Sequence, residues 1–96
     1  TDFFVLNVTG NSMYPLYQEG DNVLILKQTV MDYSGQVGAV LYDGTSATLK
    51  KVEFPQKKDW IKLIPINPEY PPKTIDGYAL EDVRILGIPK LLVRET

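Results

Sequence analysis

The sequence predicts an all-β fold, either a small half-open barrel or a sandwich of short, mostly antiparallel strands. Short apolar segments recur along the chain, and turn-forming residues separate them. No segment shows a sustained 3.6-residue apolar period, so at most residues 12–17 form one helical turn. With 96 residues, 44% of them hydrophobic, the chain suits one small domain covering residues 1–96.

The strands are predicted from apolar runs and their boundaries. The second of these runs, residues 22–27, is continuously apolar, which indicates burial on both faces. Asp43-Gly44 predicts a two-residue hairpin turn, because both residue types accept positive φ angles. Pro89 predicts an edge position or a bend, and a proline-rich connector is expected at residues 65–72, with Asn67 and Tyr70 as connector residues. The predicted strands are residues 3–8, 22–27, 36–42, 45–54, 60–64, 83–88 and 90–93.

Composition excludes several classes of site. The chain has no cysteine and no histidine, so disulfides and thiol ligands are excluded, and neither a metal nor a cofactor is expected. The net charge is −2, without the basic excess of nucleic-acid-binding domains, and the local group of lysines from residue 50 to residue 62 is interpreted as a solvated hairpin face. No signal segment or membrane-length apolar run is present, so we expect a cytoplasmic protein with no membrane partner.

The segment Gly10-Asn11-Ser12-Met13 places a serine in a tight junction between two predicted strands. A serine hydroxyl is a weak nucleophile until a base takes its proton. Because the chain has no histidine, the candidate base is a lysine, as in the serine–lysine variants of serine proteases. A lysine accepts a proton only when it is neutral, and burial favours the neutral form. The base is therefore expected at an inward-facing strand position.

Strand alternation favours Lys50 over Lys51 as this base. Lys50 shares a face with Thr48 and Val52, whereas Lys51 lies on the other face. Thr48 is one strand repeat away, where its hydroxyl can bind and orient the amine. With a two-residue turn, apolar residues of the preceding strand oppose the face of Lys50, namely Val37, Ala39 and Leu41.

Four segments, in this order and at these spacings, resemble the C-terminal domain of LexA, cleavable phage repressors and UmuD-type proteins. The resemblance runs from about residue 2 to residue 94, and its segments are Gly10–Met13, Gly20-Asp21, Lys50-Lys51-Val52 and the run Leu-Ile-Pro-Ile-Asn-Pro-Glu-Tyr at residues 63–70. It implies a self-cleaving serine peptidase of the S24 type, with Ser12 as nucleophile and Lys50 as base. Thr48 aligns with a threonine that precedes the base, and the backbone N–H groups of Asn11 and Ser12 are implied as oxyanion donors.

The resemblance also implies a longer protein. The family cuts itself at a small-residue–Gly bond, commonly Ala-Gly, and this chain contains no Ala-Gly dipeptide. We therefore expect the cleavage segment, and a helix-turn-helix domain that binds operator DNA, to precede Thr1. A RecA-like filament or an antirepressor are the other partners that the resemblance suggests.

A homodimer is expected through the apolar chain end at residues 83–94. LexA-like domains dimerise through this region, and proline and charged residues here suggest a short, controlled strand edge. The side chains predicted at the interface are Ile85, Leu86, Ile88, Leu91 and Val93.

The sequence leaves two other functions open. The run Ser12–Leu16 resembles the Ser-Met-x-Pro-Thr-Leu of signal peptidases, although Leu16 stands where the threonine is expected. Alternatively, the domain serves only oligomerisation in a repressor that does not cleave itself. An upstream transmembrane segment or an upstream helix-turn-helix domain would distinguish the first alternative from the repressor.

Overall fold

A computed structural model describes residues 2–42, 44 and 46–95, and nearly all of its regular structure is β-strand. Seven strands form one sheet in which every neighbouring pair is antiparallel. The all-β prediction is therefore confirmed, with the strands in a single sheet. The elements are β1 (Phe3–Asn7), β2 (Asn22–Lys27), β3 (Gln36–Leu41), β4 (Ala47–Glu53), β5 (Trp60–Ile64), β6 (Lys73–Asp76), a 3₁₀ helix (Gly77–Asp82) and β7 (Arg84–Val93).

The last strand lies inside the sheet. The strand order is β1-β2-β7-β3-β4-β5-β6, so β7 is paired on both sides. The prediction that the chain end forms a strand edge is therefore wrong, and the two predicted strands are one strand of ten residues. Pro89 lies opposite Ile25 at a bulge in the β2–β7 pair, where Lys90 has no direct partner. The predicted bend thus takes the form of a bulge, which lets a proline sit within a central strand.

Buried side chains pack on both faces of the sheet. Neighbouring residues of a strand point to opposite faces, so Ala39 and Leu49 pack on one side and Val40 and Val52 on the other. The first cluster joins β1, β2 and the segment after β1 to one face of β3 and β4, and the second joins β3, β4, β5 and β6 on the other face. The first cluster contains Leu6, Val8, Met13, Val23, Ile25, Ala39 and Leu49, and the second contains Val40, Val52, Ile61, Leu63 and Ile75.

Strand β2 is buried on one face only. Val23 and Ile25 are fully buried, whereas the residues between and around them are partly exposed. The prediction of burial on both faces is wrong because β1, β2 and β7 leave one side of the sheet uncovered. On that side Val5, Leu24 and Leu91 form a row across the three strands. We call this surface the apolar face, and its members are Phe3, Val5, Leu24, Leu91 and Val93.

The residues predicted at a dimer interface separate into two groups. Ile88 is 4% exposed and is buried in the protomer's own core, which corrects its placement at an interface. Ile85 and Leu86 are half-buried and pack against the two clusters. Leu91 and Val93 are 57% and 53% exposed, so these two remain accessible to another molecule.

The β3–β4 pair differs from the predicted hairpin by one residue. Leu41 pairs with Ala47, so five residues separate the paired positions, whereas the two-residue turn would pair Leu41 with Ser46. Asp43 of the predicted turn and Thr45, which follows that turn, lie outside the described residues. Side chains alternate between the two faces of a strand, so a shift of one residue changes which residues of β3 lie on the same face as Lys50.

Two short elements were not predicted. β6 follows the proline-rich connector and pairs with β5, with Ile75 as its one buried residue. The 3₁₀ helix begins at Gly77, whose φ is +59°, and none of its residues is buried. Neither element has enough apolar residues to show a period in the sequence. No helix within the described ranges is long and apolar enough to cross a membrane.

Candidate active site

Ser12 lies in a loop, residues 8–21, that is closed at its base. The Val8 N–H donates to the Asp21 carbonyl at 2.8 Å, and the Gly20 N–H donates to the Val8 carbonyl at 2.8 Å. The chain turns at Gly10, whose φ of +77° is accessible to glycine at little cost. Met13 is 3% exposed and anchors the loop in the first core cluster. Ser12 is therefore held next to a fixed point of the core.

An ion pair between the partly exposed Arg94 and the buried Asp21 ties the base of this loop to the end of the chain. The Arg94 guanidinium donates to both carboxylate oxygens of Asp21 at 2.8 Å, and the Gln18 N–H donates to one of them at 2.7 Å. Asp21 is 2% exposed. The Arg94 hydrogen bond, followed by that of Gln18, holds the pKa of the Asp21 carboxyl below its usual value. Because Arg94 directly follows β7, this ion pair connects the base of the loop to the end of the last strand.

The structure brings the Lys50 amine to the Ser12 hydroxyl. Lys50 Nζ lies 3.0 Å from Ser12 Oγ, 2.7 Å from Thr48 Oγ1 and 3.1 Å from the Leu49 carbonyl oxygen. Strand β5 pairs with β4 only from Lys51 onward, so the edge of β4 at Leu49 is open. The amine occupies this open edge, between the strand that carries it and the Ser12 loop.

The surroundings of Lys50 favour its neutral form. The side chain is half-buried, and this burial lowers the pKa of the amine below 10.5, the value of an unperturbed lysine. A neutral amine has two N–H donors and one lone pair. The hydroxyl of Thr48 and the carbonyl of Leu49 can accept the two donors, which leaves the lone pair for the hydrogen of Ser12. Such an amine can accept the proton that a nucleophilic serine must lose.

The preference for Lys50 over Lys51 does not depend on the incorrect hairpin register. Lys50 lies opposite Gly38, and Thr48 lies opposite Val40, so the predicted opposing residues of β3 are on the other face. The face of Lys50 is nevertheless apolar, because Val40 and Val52 are fully buried there. Strand alternation within β4 alone puts the two lysines on different faces, and Lys50 is the one beside Ser12.

The segment after β5 also contacts the Ser12 loop. The Asn67 side-chain amide donates to the Asn11 carbonyl at 2.9 Å, and the Asn67 N–H donates to the Ser12 carbonyl at 3.0 Å. Among the described residues, the N–H groups of Asn11 and Ser12 themselves donate to no protein acceptor. From the sequence, Asn67 is expected only as a connector residue. Asn67 lies in one of the four segments that carry the family resemblance, but no spacing in the sequence indicates that it contacts the Ser12 loop.

Two depressions of very different size adjoin the Ser12–Lys50 contact. A cavity of about 20 Å³ lies between the end of β1, Ser12, Met13 and the start of β4. Lys50 also lines an open groove of about 380 Å³, together with Tyr42, Leu63, Lys73 and prolines of the connector. Within the described ranges, no group of three or more acidic side chains could hold a metal ion.

Comparisons with known proteins agree on one family. The family model described as Peptidase S24-like matches residues 1–89. The chain is 34% identical over 86 residues to a LexA repressor of Thermosipho melanesiensis, covering 90% of this chain and 40% of that protein. It is 33% identical over 96 residues to a LexA repressor of Staphylococcus carnosus, covering 99% and 42%, and 37% identical over 87 residues to one of Leuconostoc citreum, covering 90% and 37%. The chain thus spans about two fifths of the length of these relatives, and it belongs to the peptidase S24-like family.

Proposed function

We propose that this chain is the self-cleavage and dimerisation domain of a LexA-like repressor, with Ser12 and Lys50 as a catalytic dyad. The observation that supports this most strongly is the 3.0 Å separation of Lys50 Nζ and Ser12 Oγ, at a lysine whose pKa burial lowers. The likeness to LexA repressors gives the proposal its biological setting.

In the proposed reaction, neutral Lys50 takes the Ser12 proton while Oγ attacks the carbonyl carbon of the scissile bond. The N–H groups of Asn11 and Ser12 stabilise the negative charge that develops on the carbonyl oxygen. Protonated Lys50 then donates its proton to the leaving amine, which frees the new N-terminus. Neutral again, Lys50 activates a water that hydrolyses the acyl-enzyme. Throughout, Thr48 holds the amine in position.

The substrate in this proposal is a segment of the same protein upstream of Thr1. A cavity of about 20 Å³ next to Ser12 accommodates only a small side chain, which supports cleavage after a residue such as alanine. The much larger groove beyond Lys50 can take a longer part of the segment. The chain contains no Ala-Gly dipeptide of its own, in keeping with a small-residue–Gly site outside it.

Dimerisation is proposed through the apolar face. Two copies joined there would present two helix-turn-helix domains to the two halves of an operator, and cleavage would separate those domains from the dimer. A RecA-like filament or an antirepressor would act on the same domain in a cytoplasmic protein. The exposed side chains of β1 and β7 support this arrangement better than the buried Ile88 does.

The test is a chain that includes the upstream segment. Incubated at rising pH, it should cut itself at a small-residue–Gly bond, faster as Lys50 loses its proton. Ser12→Ala and Lys50→Ala should each abolish cleavage, and the double variant should be no worse, because the two residues act as a unit. Lys51→Ala is the matched control and should cleave almost normally. Cleavage that survives Lys50→Ala would disprove the dyad.

A further inference from the structure

We propose that Asn67 is a positioning residue for the nucleophile, which fixes the two peptide planes on either side of Ser12. The inference rests on the proposed peptidase function and adds a residue to it. Asn67 lies three residues after the end of β5, in a segment whose sequence suggests only a connector.

The two hydrogen bonds of Asn67 to the loop end on successive peptide groups. Its side-chain amide holds the carbonyl of Asn11, which belongs to the peptide before Ser12. Its own N–H holds the carbonyl of Ser12, which belongs to the peptide after Ser12. Together with the Tyr14 N–H, which donates to the same Asn11 carbonyl at 3.2 Å, these contacts restrict the φ and ψ angles of Ser12 and hence the direction in which its hydroxyl leaves the backbone.

The same contacts orient a proposed oxyanion donor. In a planar trans peptide, the C=O and N–H groups point in opposite directions. Because Asn67 holds the Asn11 carbonyl, the N–H of Ser12 in that same peptide is directed away from Asn67. This N–H donates to no other protein group in the described part of the chain, so it is free to bind a developing negative charge.

Asn67 is itself held in place. Its side-chain oxygen accepts from the Glu69 N–H at 3.0 Å, and its carbonyl accepts from the Tyr70 N–H at 3.1 Å. The preceding residue adds a contact, since the Ile66 N–H donates to the Met13 sulfur at 3.4 Å. Only a short side chain with both a donor and an acceptor can bind the Asn11 carbonyl and the Glu69 N–H together, which accounts for an asparagine here.

The experiment uses a fluorophosphonate, which reacts with an activated serine without needing the upstream segment. In that reaction the Ser12 Oγ–P bond forms, the P–F bond breaks, fluoride leaves, and the Ser12 proton goes to Lys50. The rate is measured across pH for the unsubstituted chain and for two variants. Asn67→Ala removes both side-chain contacts. Asn67→Asp keeps the acceptor for the Glu69 N–H but removes the donor to the loop.

We expect both variants to lower the rate at the high-pH plateau about tenfold to a hundredfold, somewhat less than deletion of an oxyanion donor. In Asn67→Ala the pH of half-maximal rate should stay unchanged, because Lys50 keeps its contacts. Gln28→Ala is the matched control, since this side-chain amide also donates to a backbone carbonyl, that of Val30. Gln28 follows the C-terminal end of β2, whereas the Ser12 loop precedes the N-terminal end of that strand. The Gln28→Ala variant should therefore react at the rate of the unsubstituted chain.

Three results would overturn the proposal: an unchanged rate in Asn67→Ala, a loss that Asn67→Asp does not share, or a displaced pH midpoint in Asn67→Ala. If the unsubstituted chain fails to react at Ser12, the peptidase function fails, and backbone ¹⁵N relaxation still tests the positioning role. Asn67→Ala should then lower the order parameters of Asn11 and Ser12 but not those of β2. Unchanged order parameters in the loop would refute it.

Discussion

Changing Leu91 to aspartate should weaken the proposed dimer strongly while leaving the protomer folded. Leu91 is 57% exposed on the apolar face, in a row with Val5 and Leu24. Full burial of such a side chain contributes about 1.5–3 kcal/mol, so covering the exposed part of Leu91 contributes about 1–2 kcal/mol. A two-fold interface contains this side chain twice, which makes the loss about 2–4 kcal/mol per dimer.

At 1.4 kcal/mol for each factor of ten, this loss raises the dimer dissociation constant roughly 30-fold to 700-fold, before any penalty for the new charge. Sedimentation equilibrium over a range of concentrations measures it directly. Tyr78→Asp is the matched control, because Tyr78 is 91% exposed in the 3₁₀ helix and lies outside the apolar face. The reasoning would be refuted by an unsubstituted chain that stays monomeric at high micromolar concentration, or by equal dissociation constants for folded Leu91→Asp and the control.

Three further predictions concern stability. Gly87→Ala should lower the free energy of unfolding by about 1–3 kcal/mol in urea, because a Cβ there would collide with the Leu26 carbonyl across the β2–β7 pair; wild-type stability would contradict this close approach. Since Arg94 lowers the pKa of Asp21, the ion pair stabilises the fold above about pH 4, and this stabilisation is lost as pH falls through the lowered pKa. Asp21→Asn should therefore have a lower free energy of unfolding at pH 7 and should lose less of it on acidification. Equal acid sensitivity of the variant and the unsubstituted chain would contradict this prediction. Since burial lowers the pKa of Lys50, the unfolded chain binds a proton on this amine more readily than the folded chain does. The free energy of unfolding should therefore rise with pH between the lowered pKa and 10.5. Lys50→Met should abolish that rise, and a rise that persists in the variant would show that another group causes it.

The strands and the face on which Lys50 lies followed from the sequence because they depend on local patterns. Alternation within β4 places Lys50 on the face of Thr48 and Val52 whatever the neighbouring strand does. The order of the strands depends instead on contacts between distant segments. The sequence of residues 84–93 does not distinguish a central strand from an edge strand. Pro89 is typical of an edge, but here the bulge opposite Ile25 accommodates it inside the sheet.

Elements that lack a repeating pattern were not predicted. The register of the β3–β4 pair depends on the length of one turn, and an additional residue there moved every cross-strand partner by one position. The contribution of Asn67 arises from hydrogen bonds to residues more than fifty positions earlier in the chain. A sequence motif identifies the asparagine, but only the folded connector shows which carbonyls it binds.

The most direct test of the proposed dyad is a titration of the Lys50 amine by NMR, with the signal assigned by its loss in Lys50→Met. The proposal requires a midpoint below 10.5, because the amine is half-buried and must be neutral to accept the Ser12 proton. It also requires the same midpoint in the pH dependence of Ser12 reactivity toward a fluorophosphonate. A Lys50 amine that titrates at or above 10.5, or a Ser12 reactivity that rises at a different pH, would contradict the proposal that Lys50 is the base.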